Sequence, residues 1–202
     1  MPRHWTIAAC LSLCLAAASA QAETPAAFAA RGAIVSADAA NLTLKEADGT
    51  QDSFALAPGI RLLGMKTASL ADVKAGDFVG IGSVADGKGG LKAVQVVIFP
   101  PAMAGTGEGS YPWKQHPGST MTNATVSATV VAANATSVSV TYKDGKQSIT
   151  VPPDAPILAL VPSTAADLMP GAIAVVRGET GADAKHVVKS VLVGLNGTVP
   201  PT

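Results

Sequence analysis

Aromatic residues are scarce in this chain, at 4 %, and cysteine is scarcer still. Its two cysteines, Cys10 and Cys14, both lie in an apolar stretch near the N-terminus. That stretch follows Met1-Pro2-Arg3-His4-Trp5, runs from Thr6 to Ala20 and ends at Ala20-Gln21-Ala22. A lone Arg, a short apolar core and an A-x-A site make a secretory signal peptide over residues 1–22. The run is too short for a comfortable membrane span. The rival reading, a lipoprotein box at Ile7-Ala8-Ala9-Cys10, sits too early, with almost no apolar core before it. Cleavage after Ala22 leaves a periplasmic or secreted chain with no thiol. A disulfide, a cysteine metal ligand and a thiol nucleophile are then all excluded.

Net charge is also lacking. The chain has 14 basic and 14 acidic residues, so loss of Arg3 leaves 13 against 14. No long-range field draws it to nucleic acid or to an anionic membrane. Single-strand binders also need a basic groove studded with stacking aromatics. Here the aromatics beyond residue 22 are Phe28, Phe54, Phe78, Phe99, Tyr111, Trp113 and Tyr142, and the phenylalanines sit in strand-like runs. No apolar run beyond residue 22 reaches membrane length, so no membrane span is expected in the mature chain. Motifs of the common enzymes are missing too: no G-x-S-x-G elbow, no P-loop, no H-E-x-x-H. Gly105-Thr106-Gly107-Glu108-Gly109 is glycine-rich but follows Pro100-Pro101 and opens no helix, so it offers no helix N-terminus to phosphate. Nothing in the pattern calls for a cofactor.

What is present is an internal repeat. Ile34-Val35-Ser36-Ala37-Asp38, Leu42-Thr43-Leu44 and Asp48-Gly49 answer Val130-Val131-Ala132-Ala133-Asn134, Val138-Ser139-Val140 and Asp144-Gly145. Further on, Ser69-Leu70-Ala71-Asp72 and Gly76 answer Thr164-Ala165-Ala166-Asp167 and Gly171. Two copies are too few for a solenoid, and a duplicated domain is the simpler reading. Within each copy, period-two alternation marks strands with one face inward. The Asp-Gly pairs supply positive-φ residues for tight hairpins. Phe54 and Leu56, like Ile149 and Val151, continue the next strand. Ser69 with Asp72, and Thr164 with Asp167, form capping boxes of short helical turns, which Gly76 and Gly171 close. Two more strands follow, near residues 78–84 and 92–99, and near 173–178 and 186–193.

Three strands, a short helical turn and two strands, twice over, is the element order of an OB-like five-stranded barrel. The expected fold is therefore all-β, with two tandem five-stranded OB-like β-barrel units, each carrying one short helical turn. The first unit covers residues 23–99, a Gly/Pro-rich connector 100–123, and the second unit 124–202.

The runs SLADVKAGDFVGIGSV and KAVQVVIFP, with the connector GTGEGSYPWKQHPGSTMTNATV, resemble a bacterial family of exported domains of unknown function. The resemblance covers nearly all of the chain beyond the signal segment. It implies duplicated barrel-like domains and no reaction. Some similar chains carry the name of a metal-transport permease. One cleavable apolar segment cannot build a permease, because every crossing needs its own span.

Candidate site residues gather in the connector. It holds Trp113 beside Tyr111, with His116 close by, and a long loop without regular structure is often functional. Trp113 could pack between the two units and set their angle. Alternatively Tyr111, Trp113 and His116 form a patch that binds an unknown protein or small molecule. A metal site would use His116 and Glu108 with nearby carboxylates or His186, but no ligand spacing of the usual kind is visible. The expectation is an exported, non-catalytic binding or envelope-associated protein. The alternative is a periplasmic metal-binding protein built on His116 and nearby carboxylates; an unrecognised hydrolase ranks last.

Overall fold

The computed structural model describes residues 26–114, 116–131, 136–181 and 186–201; the expected signal segment lies outside them. Strands begin where alternation begins. In β1 (Ala26–Ala37) and β2 (Asn41–Lys45), Ile34, Leu42 and Leu44 are buried while Ser36 and Lys45 are exposed. Strand β3 (Gln51–Ala55) adds Phe54 to the same core. Next comes β4 (Arg61–Thr67), which the sequence pattern did not announce. A single 3-10 turn at Leu70–Asp72 precedes β5 (Phe78–Ala85) and β6 (Leu91–Ile98). The later chain follows suit with β8 (Thr120–Val131), β9 (Thr136–Tyr142), β10 (Gly145–Val151) and β11 (Ile157–Pro162). A 3-10 turn at Ala165–Asp167 then leads to β12 (Ile173–Thr180) and β13 (His186–Gly194). The segment expected to be an irregular connector holds a 3-10 turn at Pro101–Met103, strand β7 (Gly109–Pro112) and the start of β8.

The fold is all-β, and five of its strands close into a barrel in the order β8-β9-β10-β6-β5, back to β8. The closing seam is a parallel pair, Ile149 with Leu91 and Thr150 with Lys92. Five further strands, β3-β2-β1-β12-β13, wrap in the same order, with β3 lying beside β13 and no ladder joining them. Strands β4 and β11 pair antiparallel, Leu160 opposite Met65, and join the two curled sheets into one.

The expected division at residues 100–123 does not sort these strands. The closed barrel takes β5 and β6 from the first half of the chain and β8–β10 from the second. The other curled sheet takes β1–β3 from the first half and β12–β13 from the second. The cores mix likewise. Leu42, Leu44 and Phe54 pack with Leu168, Val176 and Val191; Val79, Ile81 and Val96 pack with Val138, Val140 and Ile149. Burying each such side chain stabilises by about 1.5–3 kcal/mol, so each half supplies apolar surface to both cores. The physical reason is β4. It leaves β3 to pair with β11 and β13, and so delivers β5 and β6 to the far side of the seam.

Two local expectations also change. Gly145 lies in the strand opposite Tyr142, closing a two-residue turn at Lys143-Asp144, and only Gly49 of the two hairpin glycines has a positive φ. The sequence repeat matches Ile34 to Val130, but the ladders set Ile34 opposite Leu44 and Val126 opposite Val140. The turn glycines agree: Gly171 donates its N–H to the Ile34 carbonyl at 2.8 Å, and Gly76 donates to that of Val126 at 2.9 Å. The β8–β9 hairpin is therefore longer than β1–β2, and its extra residues displace the apparent match.

Candidate functional site

The connector residues pack on the outer wall of the closed barrel. Inward positions of β5 are filled by Val79 and Ile81, both fully buried. The alternate positions are Gly80 and Gly82. Strand β7 pairs with the first part of β8, Tyr111 opposite Met121, and then turns back at residues 113–119. The Trp113 backbone N–H donates to the Ser119 carbonyl at 3.0 Å, and the Ser119 hydroxyl donates to the His116 carbonyl at 2.5 Å. This turn lays the indole on β5 at Gly82, where a Cβ would fall 2.4 Å from the Trp113 ring. Phe99 and Asn123 occupy the corresponding space over Gly80.

Of the three expected patch residues, the structure brings two into contact. The His116 ring lies 4.2 Å from that of Trp113, tilted by 42°. His116 is exposed, and Trp113 is half-buried between exposed neighbours. Tyr111 stays 41 % exposed, and its hydroxyl accepts a hydrogen bond from Asn123 Nδ2 at 2.9 Å. The same Asn123 amide donates to the Thr106 carbonyl at 3.3 Å, tying the glycine-rich turn to the patch. Asn123, which the sequence alone does not place in the patch, is thus the polar hinge of the site. It is buried on an outward-facing position, and only β7 puts it there.

The metal alternative finds no support in this geometry. Glu108 accepts a hydrogen bond from the Lys143 backbone N–H at 3.1 Å, while His116 rests on Trp113. Among the described residues no three His, Cys, Asp or Glu side chains come together as metal ligands. His186 lies elsewhere, 4.3 Å from the Phe28 ring and 3.1 Å from the Thr180 hydroxyl.

A second concavity, about 520 Å³, opens at the β4–β11 seam, with Phe99, Pro100, Pro101 and Leu160 as apolar wall and Lys66 and Lys74 at its rim. Asp72 borders it, its carboxyl held below the usual range by the Ser69 backbone N–H and then the Ser69 hydroxyl, with Lys74 and Lys66 adding to the effect. Both bonds are 2.8 Å, so Asp72 is committed to its turn. The matching place on β4 is filled by the chain itself. There the Met65 carbonyl accepts the Leu195 N–H at 2.8 Å, and Thr198 bonds Thr67. Beside Leu160, the strand partner of Met65, lies Pro100, which has no N–H to give.

Comparison with known protein families, characterised proteins and solved structures finds no match for this chain.

Proposed function

We propose that this chain is an exported, non-catalytic binding protein that acts in the periplasm or outside the cell, and that its barrels are scaffold while the Tyr111–His116 turn recognises the ligand. The observation that carries this reading is the Trp113–His116 ring pair, half-exposed and seated in a glycine gap on a rigid barrel wall. Aromatic faces held on a preorganised support recognise apolar ring faces at little entropic cost. The Tyr111 hydroxyl, held in place by the buried Asn123 amide, adds a polar group at the margin that orients a ligand. The ligand class is a small molecule or protein segment with a flat or ring-shaped apolar face.

The shifted carboxylates support a non-catalytic reading. Asp38, Asp48, Asp72, Asp86 and Asp167 are all lowered chiefly by backbone hydrogen bonds of their own turns, which is structural work. The repeated order of strands, bulges and 3-10 turns supports two diverged copies of one OB-like unit, exchanged rather than side by side. Binding is tested with soluble oligosaccharides and proline-rich peptides by isothermal titration calorimetry, a readout that does not depend on Trp113. A ligand whose binding is lost in Trp113→Ala and weakened in His116→Ala is expected. Binding that survives both substitutions would place recognition elsewhere.

A further inference from the structure

Thirteen strand ladders run among the described residues, and six of them join the first half of the chain to the second: β1–β12, β4–β11, β4–β13, β5–β8, β6–β10 and β6–β11. Among the described residues, no ladder joins β1–β3 to β5–β6, or β8–β10 to β12–β13. Strands β4 and β11 have no ladder within their own halves. Each half is therefore an antiparallel meander, β1–β3 or β7–β10, a hairpin, β5–β6 or β12–β13, and a lone strand whose ladder partners among the described residues all come from the other half. Both large apolar clusters depend on that exchange. The covalent link between the halves is the segment 100–108.

We propose that a second copy of this chain can supply the missing half, giving an interlocked dimer in which each lobe combines the first half of one chain with the second half of the other. Every ladder and both cores form again in such a lobe. What changes is the hinge. Its turn is exposed from Ala104 to Glu108 and bends at Gly105 and Gly107, residues that take up the bent and the extended backbone with almost equal ease. The bonds given up are few and local: Thr106 N–H to the Met103 carbonyl, Glu108 N–H to the Gly105 carbonyl, and the contacts of Asn123 and Lys143 with this turn. Exchange of this kind costs little when the hinge alone is altered.

Concentration decides the outcome. A short flexible tether holds its ends at an effective concentration in the millimolar range, on the order of 1 mM, so dilute refolding closes the monomer. Shortening the tether reverses this. Phe99 and Gly109 are separated by β6, β5, β8 and β7, three strand spacings, about 14 Å. Removing residues 102–108 leaves Pro100 and Pro101, which reach only about 10 Å across three Cα steps.

The test is refolding from denaturant across protein concentrations, followed by size-exclusion chromatography with light scattering. The full chain should be monomeric at micromolar concentration and give a growing dimer fraction toward ~1 mM. The shortened chain should be dimeric already at micromolar concentration. Dimers made from two differently tagged chains should not exchange partners on native incubation. A shortened chain that is folded and monomeric overturns the proposal. So does a full chain that stays monomeric near ~1 mM, whether or not the shortened chain folds, or a dimer that exchanges partners quickly.

Discussion

At the scale of the residue, the wall of the closed barrel turns on two glycines that no local rule explains. Gly82 is not in a turn; it is glycine because the indole of Trp113 lies where a Cβ would stand. Gly82→Ala should push that ring outward rather than break the strand, because a side chain yields where backbone does not. In a chain beginning at residue 23, Trp113 is the one tryptophan, so the displacement is read as red-shifted, more readily quenched fluorescence. The expected loss of stability is about 1–3 kcal/mol, the usual penalty of overpacking, measured by urea unfolding. An unshifted spectrum would mean that the indole does not sit on β5. The capping aspartates give a pH prediction. The Ser69 and Thr164 backbone N–H groups, helped by the Ser69 and Ser163 hydroxyls, hold Asp72 and Asp167 below the usual carboxylate range. A lowered folded-state pKa stabilises above the unfolded value of about 3.9, and that contribution fades as pH falls from there through the folded pKa. The stability gap between the native chain and Asp72→Asn or Asp167→Asn should be constant near neutrality and shrink below about pH 4. A gap that widens in acid would contradict the assignment.

At the scale of the element, the two curled sheets differ at one seam. Strand β10 completes its barrel against β6, whereas β3 faces β13 without a ladder. The outer-edge amides of β3 should therefore exchange with solvent faster than those of β10, as hydrogen exchange followed by NMR will show. Equal protection on both strands would mean that the second sheet closes as well. The β12–β13 hairpin offers a contrast to Gly82. A Cβ on Gly178 would stand 2.1 Å from the Val187 carbonyl oxygen, which is backbone beside the bulge at Arg177/Gly178. Gly178→Ala should cost about 3 kcal/mol, the upper end of overpacking, because no rotamer relieves it. The hairpins themselves were legible in sequence, since Leu42 with Leu44 and Val138 with Val140 alternate cleanly. Strands β4 and β11 were not. Arg-Leu-Leu-Gly-Met-Lys-Thr and Ile-Leu-Ala-Leu-Val-Pro show no such alternation, because both lie mid-sheet and carry apolar residues on both faces.

At the scale of the whole molecule, the interlock predicts how the chain behaves when cut. The turn from Ala104 to Glu108 is exposed, and a single proteolytic nick there severs the covalent link between the halves. Six ladders and two shared cores should hold the fragments together, so the nicked protein should elute as one particle until denatured. Fragments that separate under native conditions would contradict the exchange of strands. The halves also make most contacts long-range, and folding should accordingly be slow for a chain of this size.

The sequence by itself determined the class of structure and its local parts. Alternation, the Asp48-Gly49 turn and the paired boxes at Ser69–Asp72 and Thr164–Asp167 are short-range chemistry, decided by neighbours within a few residues. The tertiary structure decided which hairpin completes the closed barrel and which the other curled sheet. That choice lies between hairpins offering nearly equivalent edges and cores, so no local preference separates them. It is settled by the β4–β11 crossing, which commits each half to the other, and by a connector that reaches β7. The same holds for the candidate site. Tyr111, Trp113 and His116 stood out as rare residues in a glycine- and proline-rich run. Their partners Gly82 and Asn123 did not, because a glycine gap and a buried outward-facing amide acquire meaning only when a distant strand packs over them.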